Sequence, residues 1–258
     1  GELLPPQANP DTGKQDGQIS QLDIVNSLRF NNGLTLLTVT AEELELLLEH
    51  GVAETEPGAT PGQFPQVGGL SFSFDPTEEA IDFDDEANVI TEGERIQSLS
   101  LLNEDGNVDT VLVEDGDLVV DPNLEIRLVT LIFLNGAFSD SDFIGGDGYP
   151  FPAFGEEVVN LGDVLTDEGD ATFADPGSEQ DALAEYLIDN FPVEGDAAFD
   201  NAETDPAQDS RIVNLSVQEE EDPTPAGEEV FRFFNTATGG HFYTASEEER
   251  DFVEDTLS

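Results

Sequence analysis

At residues 34–51 the chain reads LTLLTVTAEELELLLEHG, which predicts a β-strand that runs directly into an α-helix. Mixed leucine and threonine over residues 34–39 are typical of a strand. Thr40 and Glu43 form a capping box, in which each side chain accepts a hydrogen bond from a backbone N–H at the helix start. The helix then presents one apolar face, formed by Leu44, Leu47 and Leu48. We expect the helix to end where His50 is followed by Gly51.

Similar patterns predict further elements on both sides of this stretch. The alternation LSFSF at residues 70–74 predicts a strand with its two phenylalanines on one face. Three more strands are predicted at residues 96–102, 108–113 and 125–134, the first two forming a hairpin around a Glu-Asp-Gly-Asn turn. Ser178 caps a second predicted helix, residues 178–190. The predicted fold class is α+β, a mixed sheet with flanking helices, plus a short partial accessory module near the C-terminus.

The strongly acidic composition argues against two classes of binding partner, nucleic acids and membranes. The 258 residues carry 59 Asp+Glu against 7 Lys+Arg, a formal net charge of −52. Such a surface repels phosphate backbones and anionic headgroups, so we expect neither nucleic-acid binding nor membrane insertion. No apolar stretch approaches the ~20 residues that cross a bilayer. The acidic composition favours a secreted, periplasmic or cell-surface location.

Cysteine and methionine are both absent from the sequence. Without cysteine there is no disulfide framework, no thiolate metal ligand and no cysteine nucleophile. Because the chain has no methionine even at position 1, we expect it to be a piece of a longer polypeptide, although processing would give the same start.

Three regions are predicted along the chain. Residues 1–217 contain the predicted α+β domain. Residues 218–229 are half carboxylates with interspersed proline, which is typical of a stiff, self-repelling linker. Residues 230–258 begin with the most aromatic stretch of the sequence and are too short to bury a core of their own. We expect them to be the start of an accessory module.

The sequence offers few groups for catalysis. His50 and His241 are the only histidines, and neither lies in a metal-ligand pattern, so no di-metal centre is predicted. A nucleophile elbow of the form G-x-S-x-G does not occur. We therefore predict no catalytic residue and no metal ligand in this chain. His50, at a helix C-terminus, is interpreted as a structural residue whose charged form interacts favourably with the helix dipole.

Calcium binding at one of several acidic segments is a possibility that the sequence neither predicts nor excludes. None of them has the D-x-D-x-D-G spacing with a glutamate at the twelfth position, but carboxylate oxygens are abundant. The alternative to a calcium site is a solvated acidic face. An extracellular structural or adhesive protein that binds calcium is accordingly one of two functional hypotheses.

The second hypothesis comes from three segments that resemble the C-terminal domain of secreted 5′-nucleotidases. In chain order they are residues 26–51, GQFPQVGGL at 62–70 with Phe-Asp-Pro at 74–76, and Phe-Leu-Asn at 133–135 with GGDGYPF at 145–151. The resemblance spans residues 17–215. It implies a domain that recognises a nucleotide or nucleoside. Hydrolysis would require an N-terminal metallophosphoesterase domain of the same polypeptide, which would carry a pair of divalent metals and the catalytic histidine.

The resemblance also implies a binding site. The nucleobase would lie between two aromatic rings, Phe64 and Tyr149. A π-face stacked on a base contributes ~1–3 kcal/mol and tolerates different bases. Asn32, Asp147 and Gly146 are the further candidate ligand contacts, and the glycine lets backbone amides approach the ligand closely.

Three departures from the family pattern accompany this resemblance: a missing segment, atypical inserts at residues 77–94 and 137–144, and the lack of a clear counterpart of the family's acidic ribose contact. The family's Asn-Gly-Gly-Gly-Ile-Arg segment, which supplies a phosphate-binding arginine, does not occur in this sequence. The carboxylate-rich insert Thr77–Glu94 is not typical of the family and is predicted to be a solvated surface segment.

The tail resembles the beginning of a secreted aromatic repeat of the form YRFxNxxTGxHFYT. It covers residues 230–253, and an accessory binding or attachment role is the expectation that follows.

Overall fold

The structure is a computed structural model that describes residues 8–9, 11, 13–15, 17–56, 59, 61–137, 139–166, 169–191 and 209–217, together with the backbone of two strands at 231–235 and 240–244. Its helices are α1 (Gln21–Ser27), α2 (Ala41–Val52), α3 (Phe151–Phe154), α4 (Leu161–Val164) and α5 (Glu179–Asn190). Its strands are β1 (Leu34–Thr40), β2 (Leu70–Phe74), β3 (Asp82–Phe83), β4 (Val89–Thr91), β5 (Ile96–Leu102), β6 (Val108–Glu114), β7 (Asp117–Leu118), β8 (Glu125–Leu131), β9 (Glu156–Asn160), β10 (Ile212–Asn214), β11 (Phe231–Asn235) and β12 (Gly240–Thr244).

Contacts divide the chain into two units, Gly1–Gln218 and Glu219–Ser258. The first unit contains a five-stranded sheet of order β10-β2-β5-β6-β7 and a three-stranded sheet of order β8-β1-β9. All pairings in these two sheets are antiparallel except that of β10 with β2. Helices α1 and α5 pack on each other through a small separate cluster that includes Ile24 and Leu187. The predicted α+β class is confirmed.

The main core lies between the two sheets and α2. Strand β1 contributes Leu37 and Val39, β2 contributes Phe72 and Phe74, and α2 contributes its leucines, all of them buried. The alternation of β2 predicts this burial of its two phenylalanines. The chain therefore places β1, α2 and β2 around one apolar interior.

The predicted start of α2 is confirmed in detail. The Thr40 hydroxyl accepts the Glu43 N–H at 3.2 Å, and the Glu43 carboxylate accepts the Thr40 N–H at 2.7 Å. The end of α2 differs from the prediction, because Gly51 lies inside the helix and Val52 is its last residue. A Cβ at position 51 would come within 2.7 Å of the Tyr149 hydroxyl and 2.8 Å of Pro65. Glycine is needed there for close packing and not as a helix terminator.

Arg95, just before β5, is bound to the C-terminal end of α2. Its Nη1 donates to the carbonyl oxygens of Val52 (2.8 Å), Ala53 (2.9 Å) and Thr55 (3.3 Å). These carbonyls are among the groups that a helix end leaves without an intrahelical partner. Arg95 thereby fixes the position of α2 against the five-stranded sheet.

The insert Thr77–Glu94 is more ordered than the solvated segment that its charge predicts. It contains the short hairpin β3-β4, whose turn is fixed by Asp84, which accepts backbone N–H groups of Glu86 and Asn88 at 2.9 Å each. Ile81 and Ala87 within it are buried. Interspersed apolar side chains therefore anchor an otherwise acidic segment.

In the second unit, β11 and β12 form an antiparallel hairpin in which Phe231 pairs with Thr244. The predicted linker, residues 218–229, lies outside the described residues, and the resemblance of the tail to an aromatic repeat stays a prediction. None of the helices in the described ranges is long and apolar enough to span a bilayer.

Candidate functional site

Three chain segments meet at the C-terminal end of α2: residues 50–51, the segment 63–65 and the glycine-rich loop 145–149. The Tyr149 hydroxyl donates to the Gln63 carbonyl at 2.6 Å, and the Gln63 side-chain amide donates to the His50 carbonyl at 3.3 Å. The His50 ring connects α2 to the glycine-rich loop, since its Nε2 lies 2.9 Å from the carbonyl oxygen of Asp147. Two loops that are far apart in sequence are thus held at one helix end.

Tyr149 lies beneath this junction. Its side chain is only 4% exposed, with the Phe151 ring stacked at 5.4 Å and the His50 ring edge-on at 4.7 Å between centroids. Burial, with a smaller contribution from the Asp147 charge, raises the pKa of the Tyr149 hydroxyl far above its usual range, so the group stays a donor. In this arrangement the ring supports the two loops and offers no open face to a ligand.

Phe64 follows directly after the carbonyl that Tyr149 binds. The Phe64 ring is half-buried and packs at a tilt on Phe74, with 5.8 Å between centroids. One side of the ring is therefore held by the core while part of it remains accessible. A partly exposed aromatic ring anchored in this way is suited to stacking on a flat ligand.

The glycine-rich loop has a tight backbone. Gly146 donates its N–H to the Phe133 carbonyl at 2.9 Å, and Gly145 donates to the Tyr149 carbonyl at 2.7 Å. Asp147 and Gly148 both adopt left-handed backbone conformations, with φ of 51° and 77°. A Cβ on Gly146 would overlap the Phe133 ring, so only glycine fits beside it.

This contact identifies Phe133 as a residue that the site prediction omitted. The ring is half-buried and lies directly against Gly146. The signal was present in the sequence, because Phe133 belongs to one of the segments that carry the family resemblance. The resemblance implies Tyr149 as the second stacking ring, but burial of Tyr149 leaves Phe133 as the more accessible ring.

The remaining predicted residues fall in two places. The carbonyl of Asp147 contacts His50 while the residue itself is exposed, so Asp147 and Gly146 lie in the loop at the junction. The contacts of Asn32 lie at the start of α5, where its backbone and side-chain amides both donate to the Glu179 carboxylate, at 2.8 and 3.4 Å. The structure therefore brings the segments of Phe64, Tyr149, Asp147 and Gly146 together and gives Asn32 a helix-capping environment.

His50 differs from the charged, dipole-facing histidine that its position predicts. Burial lowers the pKa of the ring, although the hydrogen bond to Asp147 and the charges of Glu54 and Asp147 oppose this shift. The neutral form is therefore favoured. Since its partner is a carbonyl oxygen, Nε2 must carry the proton.

Metal-ligand geometry is absent from the described ranges. No group of three or more His, Asp or Glu side chains in them is arranged to hold a metal ion.

Comparison with known proteins shows similarity to one protein family. A family model described as the 5′-nucleotidase C-terminal domain matches residues 7–135, half of the chain. Protein 5NUC of Lutzomyia longipalpis is 33% identical over 86 residues, which make up 33% of this chain and 13% of that protein.

Two solved structures are also similar. They are a 5′-nucleotidase precursor from Thermus thermophilus (21% identity, TM-score 0.49, 78% of this chain and 29% of that chain) and the NAD nucleotidase NadN of Haemophilus influenzae (15% identity, TM-score 0.41, 66% of this chain and 24% of that chain). This chain spans less than a third of the length of each of these three relatives.

Proposed function

The chain belongs to the 5′-nucleotidase C-terminal domain family, and on that premise we propose that its first unit binds a nucleotide or nucleoside for a 5′-nucleotidase-type phosphoesterase. The observation that carries the proposal is the hydrogen bond from the Tyr149 hydroxyl to the Gln63 carbonyl, which joins the Phe64 segment to the glycine-rich loop. A base-binding site built from these two segments requires that they lie side by side.

In the proposed site the nucleobase stacks on Phe64. The glycine-rich loop forms the other side, with Gly146, Asp147 and the Phe133 ring that packs on Gly146. Tyr149 does not contact the base in this proposal; it holds the two segments together through its hydroxyl. This role differs from the expectation that the Tyr149 ring stacks on the base. The support for this assignment is burial, since Tyr149 is 4% exposed while Phe64 and Phe133 are half-buried.

Binding of the nucleobase would position the phosphate ester of the substrate for cleavage. An ester bond is cleaved faster when binding energy from a remote part of the substrate holds the reacting group in place. We propose that this chain supplies such remote binding, and that an N-terminal metallophosphoesterase domain of the same polypeptide supplies the metals and the chemistry. The acidic composition supports the further proposal of a secreted, periplasmic or cell-surface location.

Isothermal titration with adenosine tests the proposal. We expect the wild-type protein to bind, and Phe64→Ala to raise the Kd at least fivefold, because loss of a stacked ring removes ~1–3 kcal/mol. Phe173→Ala is the matched control, since Phe173 is a partly buried phenylalanine that packs on the separate α1-α5 cluster. Absence of adenosine binding, together with a rise in melting temperature on adding calcium, would favour the structural or adhesive alternative.

A further inference from the structure

His50 is the side chain through which α2 contacts the glycine-rich loop. Its Nε2 donates to the Asp147 carbonyl at 2.9 Å, and its ring lies edge-on to Tyr149 at 4.7 Å. Its own carbonyl accepts the Gln63 amide, so the same residue also contacts the Phe64 segment. Tyr149, itself a residue of the loop, bonds the Phe64 segment directly, so among the described residues outside these two segments His50 is the one shown to bond both.

The loop has two consecutive residues in the left-handed conformation, and a contact from His50 would stabilise it. Asp147 has φ of 51°, a left-handed conformation that is uncommon for a residue other than glycine and costs free energy. The next residue, Gly148, continues it with φ of 77°, and a Cβ there would lie 3.0 Å from His50 Cε1. Close approach of the histidine ring and the hydrogen bond to the Asp147 carbonyl both favour this conformation.

The atypical insert covers the histidine from another direction. The Phe83 ring of β3 lies 6.2 Å from the His50 ring and 6.2 Å from the Phe154 ring of α3, measured between centroids. The insert thereby also contacts the junction.

We propose that His50 is a positioning residue of the nucleobase site. It holds Asp147 and Gly148 in the left-handed conformation and so fixes the wall that the base would contact, without touching the base itself. The inference rests on the function proposed above for the site, but its structural part can be measured without a ligand.

The ligand-free test is amide hydrogen exchange at Gly145 and Gly146, whose N–H groups donate to the Tyr149 and Phe133 carbonyls. We expect His50→Ala to raise exchange at both amides at least tenfold. His50→Gln should restore most of the protection, because the glutamine amide can still donate. Ile126→Val is the control: it removes a methyl group from a core residue of β8 that pairs with Val39 of β1, and so lowers stability at a position outside the junction.

The ligand test is adenosine titration of the same variants. We expect at least a fivefold rise in Kd for His50→Ala, with recovery in His50→Gln and no change in Ile126→Val. If the wild type fails to bind adenosine, the proposed function is wrong, while the exchange data still decide the role of His50. Equal exchange in His50→Ala and Ile126→Val would overturn the inference.

A measurement on the wild-type protein covers the case in which His50→Ala does not fold. The nitrogen NMR spectrum of the imidazole should show the proton on Nε2 at neutral pH. A ring protonated only on Nδ1 cannot donate to Asp147 and would also overturn the inference.

Discussion

Glu49 precedes His50 in α2 and contacts strand β5, not the glycine-rich loop. Its side chain is 3% exposed; Oε1 accepts the Ile96 N–H at 2.6 Å, and Oε2 has no hydrogen-bond partner in the described structure. Burial, reinforced by the charge of Glu45, raises the pKa of Glu49 from 4.5 to about 7, against the lowering effects of the Ile96 hydrogen bond and of Arg95. The folded chain therefore holds a proton near pH 6 that the unfolded chain releases.

This difference predicts how stability depends on pH. Because the pKa is raised in the folded state, the Glu49 contribution to the free energy of unfolding decreases as pH rises from 4.5 through about 7. Glu49→Gln removes that decrease. We expect the variant to be more stable than the wild type at pH 8 by on the order of 2 kcal/mol, with the difference closing near pH 4.5.

Urea unfolding of both proteins at a series of pH values measures the difference. Glu114→Gln, at an exposed end of β6, is the control and should follow the wild type across the whole range. Parallel curves for Glu49→Gln and the wild type would show that Glu49 has the same pKa in the folded and unfolded chains, which would contradict the prediction.

At the residue scale, the sequence predicts that aromatic rings lie near the glycine-rich loop. It does not predict which of these rings is buried and which stays accessible. The aromatic residues near the glycines are visible in the sequence, but burial of Tyr149 follows from Gly51 and Gln63, which lie about 90 residues away in sequence and fold against it. The exclusion of any Cβ at Gly146 likewise depends on the position of the Phe133 ring. Such relations arise only in the folded chain.

At the scale of elements, the C-terminal end of α2 depends on Arg95. Arg95→Ala would leave the carbonyls of Val52, Ala53 and Thr55 without this donor in a largely buried setting. We expect a loss of about 3 kcal/mol in the free energy of unfolding, since each unsatisfied buried polar group costs about 1–3 kcal/mol. Urea unfolding measures it.

The comparison variant for this prediction is Arg127→Ala. Arg127 is 44% exposed and pairs with Glu157 on the outside of the three-stranded sheet, so its loss should change stability by less than about 1 kcal/mol. Similar losses in the two variants would contradict the capping role given to Arg95.

Elements with strong local signals are those that the sequence predicts well. The capping box fixes the start of α2, Ser178 caps α5 as expected, and β2 has the predicted bounds. The predicted strand at 125–134 ends early at Leu131, where the chain turns toward the glycine-rich loop. Helix α1 was not predicted, although Asp23 accepts the Ser20 N–H at 2.6 Å as the acidic half of a capping box.

At the scale of the whole molecule, charge repulsion is the dominant unusual feature. A net charge of −52 on 258 residues destabilises the compact state. Salt screens such repulsion over about 10 Å at 0.1 M. We expect the melting temperature to rise steadily between 0.05 and 1 M NaCl, on the order of several degrees. A thermal melt followed by circular dichroism measures it.

Calcium chloride at matched ionic strength separates screening from specific binding. Equal melting temperatures in sodium and calcium salts would show that screening alone acts. A melting temperature that falls as NaCl is added would contradict the view that repulsion between carboxylates limits stability.

We propose that a nucleobase stacks on Phe64 beside the glycine-rich loop. Nuclear Overhauser effects between the ring protons of bound adenosine and the protein provide the decisive test. We expect contacts from the adenine protons to the Phe64 ring and to Gly146 or the Phe133 ring in the same complex. Binding of adenosine with contacts elsewhere, or with none to Phe64, would contradict it.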